Sequence, residues 1–172
     1  MAGSAPLSVA GRQVMVNADG CGVDDLSFCG AVTVTVPADL LWDDLVGVAV
    51  AQEWVGVEAL HGLGGTVGEV VARAGAAYGQ RVADVVASVR TWDRVEDRQR
   101  TFAAADCRFT QHGSRFAGTN RYAVLDVSFL LRQGGLTAPI RDAGLVALLQ
   151  VESGARVPLA RVRTALVGSG TA

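Results

Sequence analysis

Lysine is absent from the 172 residues, and all fifteen basic residues are arginine. That excludes Schiff-base catalysis, which needs an amine nucleophile, and the Walker phosphate loop, which needs a lysine. Histidine is almost as scarce, with only His61 and His112. The three cysteines, Cys21, Cys29 and Cys107, are odd in number and spaced like no zinc motif. No metal site is expected, and the thiols read as those of a reduced, cytoplasmic protein. The start of the chain has no charged segment followed by an apolar run, so it does not read as a secretory signal. No uncharged apolar stretch reaches the roughly 18 residues of a membrane span. A net charge of −2 leaves no strong field to attract nucleic acid or acidic membrane.

What is present is apolar. Hydrophobic residues make up 50% of the chain and charged residues 19%, the balance of a globular protein. The expected organisation is a loose segment over 1–13, one α+β domain over 14–167 and a frayed tail over 168–172. Residues 14–20 read as a strand ending in a turn. Residues 31–38 alternate Val32, Val34 and Val36 with Thr33 and Thr35, which predicts a half-buried strand. Asp39 is the expected N-cap of a helix with a stripe of Leu41, Leu45, Val48 and Gln52. Residues 81–94 are β-rich, 95–100 read as a charged hairpin loop, and 101–109 as a short strand with a helical turn. Residues 121–132 are the strongest strand, with Ala123, Leu125, Val127, Phe129 and Leu131 on one face. Two helices close the chain, the second started by Pro158. Strands early and late, with no βαβ alternation, predict α+β with a mainly antiparallel sheet and flanking helices.

Between the first helix and the β-rich region lies HGLGGTVGEVVARAGAAYGQ, with six glycines in twenty residues. A glycine turn feeding a helix can bind an anion through unpaired N–H groups and the helix dipole. The dinucleotide fingerprint fails at Val67, which holds the third glycine's place. A tight packed turn remains the plainer reading.

In order and spacing, residues 54–68, 75–94, 101–109 and 121–132 resemble UDP-N-acetylenolpyruvoylglucosamine reductases, flavoenzymes of peptidoglycan synthesis, of the actinobacterial type. The resemblance runs from about Val14 to Val167 and corresponds to the second half of the family's FAD-binding domain. It implies that Gly65, Thr66, Val67 and Gly68 form a loop whose backbone contacts the flavin nucleotide.

The departures from the family fall on its reaction residues. A loop proline is Gly64; a later proline and Gln-Asn pair are Val71, Arg73 and Ala74. A Tyr-Arg pair, whose arginine lies by the substrate's carboxylate, is Gln111 and His112. A lysine is Ala117, while Ser114, Arg115, Phe116, Tyr78 and Gly79 persist. The family's first diphosphate loop and its proton-donating serine have no counterpart in this sequence. The expectation is therefore a cofactor-independent enzyme on a hydrophobic small molecule, a natural-product cyclase or isomerase, pericyclic ring closure included. Such a reaction needs little beyond a held substrate and one or two hydrogen bonds. Its candidate catalytic residues are His61, Glu69, Arg73 and His112; its candidate pocket residues are Trp54, Tyr78, Gln111, Arg115 and Tyr122. The expected partners are a hydrophobic substrate and further copies of the chain. The alternatives are an FAD-binding oxidoreductase-like protein and a non-catalytic ligand- or partner-binding module. Each residue also has a structural reading: Glu69 and Arg73 as an i, i+4 surface pair, and Trp54 as core.

Overall fold

The computed structural model describes residues 4–17 and 30–169. Its centre is a seven-stranded antiparallel sheet. A hairpin of β1 (Ser4–Val9) and β2 (Arg12–Asn17) leads to β3 (Ala31–Pro37), and β3 pairs with the long β9 (Tyr122–Gln133). On the other side of β9 lie β7 (Val86–Asp93) and then β8 (Arg98–Ala103), while the short β4 (Trp54–Val55) pairs with the end of β9. A two-residue hairpin, β5 (Ala76–Ala77) and β6 (Gln80–Arg81), stands apart. Four helices complete the chain: α1 (Trp42–Ala51), α2 (Val67–Ala72), α3 (Ala143–Leu149) and α4 (Leu159–Ser169).

Alternation works in β3 as the sequence suggests. Val32, Val34 and Val36 are buried, and the two threonines between them are half-buried on the opposite face. The core forms between this face, Val127, Phe129 and Leu131 of β9, and α1 and α2. A second, smaller cluster joins α3 and α4 through Leu145, Leu149, Val162 and Leu166. Burying such side chains contributes about 1.5–3 kcal/mol each.

Several local expectations are corrected. The segment expected to be loose carries β1, which turns into β2 through Ala10 and Gly11, both at positive φ. Asp39 does not cap α1. It pairs with Arg12 at 2.6 Å, and the N-cap is Leu41. Leu41 is exposed; α1 instead buries Trp42, Leu45, Val46 and Ala49. The indole N–H of Trp42 donates to the Leu60 carbonyl at 2.8 Å, which fixes that face inward. The apolar face of β9 is not continuous. Arg90 pairs with Asp126 but Thr91 pairs with Val124, so Leu125 is an extra, bulged residue. A bulge re-aims the strand. Before it, Tyr122 and Val124 face the core; after it, Val127, Phe129 and Leu131 do. Leu125 lies on the opposite face with Met15, Thr35 and Arg90. Cys21, Cys29 and the tail beyond Ser169 lie outside the described residues, and 168–169 form the end of α4.

Candidate functional site

The glycine-rich segment does feed a helix, but α2 has only six residues. Gly62, Gly64 and Gly65 all take positive φ, which only glycine adopts at little cost. Thr66 then caps α2 in a capping box: its hydroxyl accepts from Glu69 N–H, and the Glu69 carboxylate accepts from Thr66 N–H at 2.8 Å. The Val67 and Gly68 amides donate to the carbonyls of Leu40 and Ala38, each at 2.9 Å. The amides of residues 66–69, which an anion would require, are thus engaged within the chain. The Glu69 carboxylate oxygen lies 2.6 Å from where a β-carbon on Gly65 would stand, so a negative charge already rests against the loop.

Arg73 completes the closure. One of its terminal nitrogens donates to the carbonyls of Leu63 and Gly64, both at 2.7 Å. The pairing of Glu69 with Arg73 expected from their spacing does not form among the described residues; each binds loop backbone instead. A flavin diphosphate at Gly65–Gly68 would meet a carboxylate and occupied donors. This arrangement does not fit the group that the resemblance implies.

Beside α2 the bulge brings Tyr122 and Val124 together with Phe116. These three, with Ala38, Asp39, Thr66, Gly68, Glu69 and Ala72, line an open depression of about 350 Å³. Gly68 permits the close approach, since a β-carbon there would lie 3.1 Å from that of Ala38. Phe102, Phe116 and Tyr122 pack edge to face, with centroids 5.3 to 6.0 Å apart. Ser114 ties the adjoining turn to α2, donating through N–H and hydroxyl to the Ala72 carbonyl.

Tyr122 also borders a second cavity of about 540 Å³. Arg108, Arg115, Arg121, His112 and the hydroxyl residues Thr110, Ser114 and Thr119 line it, and no carboxylate does. Arg121 is neutralised by Asp93 and Glu96. Asp93 is fully buried and also accepts from Val95 and Glu96 N–H; bonding to Arg121 holds its carboxyl far below the usual range. Arg115 lies over the Phe102 ring at 4.3 Å. Neither Arg108 nor Arg115 makes an ion pair among the described residues.

The remaining candidates scatter. His61 leaves the site: its Nδ1 is 3.4 Å from Asp43 without a hydrogen bond, and the same Asp43 oxygen accepts from Gly62 N–H. Exposed His112 lines the arginine cavity and contacts Gln111 at 3.1 Å. Gln111 itself lines a separate cavity with Arg81 and Phe109. Trp54 is buried core on β4. Tyr78, with Gly79, forms a positive-φ hairpin turn that borders a different cavity, near Asp142. Cys107 is buried, and desolvation pushes its thiol up to about 11. Among the described residues no group of His, Cys, Asp or Glu could hold a metal, and no helix is long and apolar enough to cross a membrane. The sequence reading missed Arg108 and Phe116 as cavity walls. It did not register the cluster of Arg108, Arg115 and Arg121 around an aromatic, the only available signal.

The chain is 46% identical over 140 residues to UDP-N-acetylenolpyruvoylglucosamine reductase of Cutibacterium acnes, across 81% of this chain and 37% of that protein. Against the protein of the same name from Salinispora arenicola it is 39% identical over 157 residues, covering 91% and 43%.

The chain is a relative of the UDP-N-acetylenolpyruvoylglucosamine reductases.

It spans about two fifths of the length of these curated relatives. The fold agrees: the crystal structure of UDP-N-acetylenolpyruvylglucosamine reductase from Thermus caldophilus superposes with a TM-score of 0.52 at 21% identity, over 58% of this chain and 36% of that one. No protein-family model matches the chain. The scaffold is reductase-derived, an antiparallel sheet with flanking helices.

Proposed function

We propose that this chain uses the reductase-derived scaffold as a cofactor-free site for an apolar small molecule that bears an acidic group. The ligand's body lies on Phe116, Tyr122 and Val124, and its anion is held by Arg108 and Arg115. One observation carries the reading. The glycine-rich loop is closed by Glu69 and Arg73, whereas Arg108 and Arg115, which make no ion pair among the described residues, line a cavity with no carboxylate among its described lining. Guanidinium groups bind carboxylate and phosphate with two parallel hydrogen bonds. The chemistry we assign is cyclisation or isomerisation by positioning. Holding a flexible substrate in a reactive fold lowers the barrier without a redox group.

The test begins with the purified protein. Small molecules released on denaturation are identified by mass spectrometry, then returned to fresh protein. The reading expects an apolar acid, no flavin, and conversion to a product of the same mass with a new retention time. An unchanged compound ends the catalytic reading. A stoichiometric flavin supports the second reading, a flavin-binding oxidoreductase-like protein, which the kinship to the reductases favours.

A further inference from the structure

The two cavities that share Tyr122 have opposite electrostatic character. The depression beside α2 is lined by two carboxylates, Asp39 and Glu69, and by no basic residue. The cavity beyond is lined by three arginines and a histidine, and by no acid. Part of this charge is internally neutralised. Arg12 pairs with Asp39, and Asp93 and Glu96 pair with Arg121. What is left is Glu69 at one end, with no cationic partner among the described residues, and Arg108 and Arg115 at the other. Between them lie the rings of Phe116 and Tyr122, 6.0 Å apart.

From this we infer that the site selects a dipolar ligand, with an ammonium or similar cationic group at Glu69, an apolar body across Tyr122, and a carboxylate or phosphate at Arg108 and Arg115. The inference rests on the binding site proposed above and narrows its ligand class. A simple acid satisfies only the arginine end and leaves the Glu69 carboxylate without an ion-pair partner, since neighbouring Arg73 is turned to the Leu63 and Gly64 carbonyls. A simple amine gains at Glu69 and is repelled from the arginine end. Only a molecule with both groups complements the whole surface, and complementary charges govern choice between partners more than they govern raw affinity.

The probes are ω-amino acids of rising chain length, from aminohexanoate to aminododecanoate. Each is compared with the n-alkanoate and n-alkylamine of equal length, by calorimetry and by the chemical shifts of Phe116 and Tyr122. At the best length, the amino acid is expected to bind roughly fivefold more tightly than the alkanoate, the scale of one partly exposed ion pair. Glu69→Gln keeps the capping hydrogen bond, because glutamine serves equally in that box. It should therefore remain folded, remove the preference and leave alkanoate binding in place. The double variant Arg108→Ala, Arg115→Ala should lose affinity for both acids. If the alkanoate binds as tightly as the amino acid, or Glu69→Gln leaves the preference intact, the dipolar inference is overturned while the acid-binding site stands. If neither the alkanoates nor the amino acids bind at any length, both fall.

Discussion

The buried Asp93 carboxylate is held from several sides. Arg121 grips both carboxylate oxygens, two backbone amides donate to one of them, and the residue has no exposed surface. Its folded pKa lies below the unfolded value, so its contribution is complete above roughly pH 4, the unfolded carboxylate range. It is lost as pH falls through the folded value. Asp93→Asn should lower the thermal midpoint at neutral pH, and its deficit against the wild type should shrink as pH falls below roughly 4. Melting curves over an acid pH series read this out; a deficit that does not change with pH would contradict it. Cys107 behaves in the opposite sense. Burial favours the neutral thiol, raising its pKa to about 11, so at mildly alkaline pH it should resist alkylation until the chain unfolds. Peptide mapping after iodoacetamide treatment measures that directly. At this scale the sequence was partly legible. Spacing placed Glu69 and Arg73 on one side of a helix, but it could not show that left-handed glycines turn the Leu63 and Gly64 carbonyls toward Arg73.

At the scale of elements, α2 and the bulge in β9 decide where a site can exist. α2 approaches β3 and β9 because Gly68 has no side chain. Gly68→Ala should push the helix away and cost about 1–3 kcal/mol, the usual penalty of overpacking, as read by chemical denaturation. Trp42→Phe should cost about 1–3 kcal/mol through the unpaired Leu60 carbonyl alone. Alternation made β3 and the length of β9 legible. It did not reveal the bulge, because Ala123 and Leu125 continue the apolar pattern across it, and the strand's change of face follows from its pairing with β7. β1 was missed for a related reason. Apart from Leu7 and Val9 its residues are small or proline, and its Ala10–Gly11 turn carries none of the usual asparagine or aspartate signal.

At the scale of the whole molecule, kinship accounts for the scaffold. The antiparallel sheet with its flanking helices is that of a reductase relative. Of the residues expected to be catalytic, Glu69 and His112 border the Tyr122 cavities, whereas Arg73 is held by loop carbonyls and His61 lies apart beside Asp43; of the expected pocket residues, Arg115 lines the arginine cavity, while Gln111 and Tyr78 line other cavities. All four helices leave one face of the sheet to Met15, Thr35, Ser128 and the Arg90–Asp126 pair. Self-association remains a proposal for this face, and sedimentation of the wild type beside Met15→Glu would test it. Closure of the glycine-rich loop by Glu69 and Arg73 is the feature on which the proposed function turns. Its most direct test is titration of the purified protein with FAD while the amide resonances of residues 63–69 are followed. With the loop closed, no saturable shift is expected in those amides and no flavin should be retained after gel filtration. Saturable shifts at Thr66–Glu69 with stoichiometric flavin retained would contradict it.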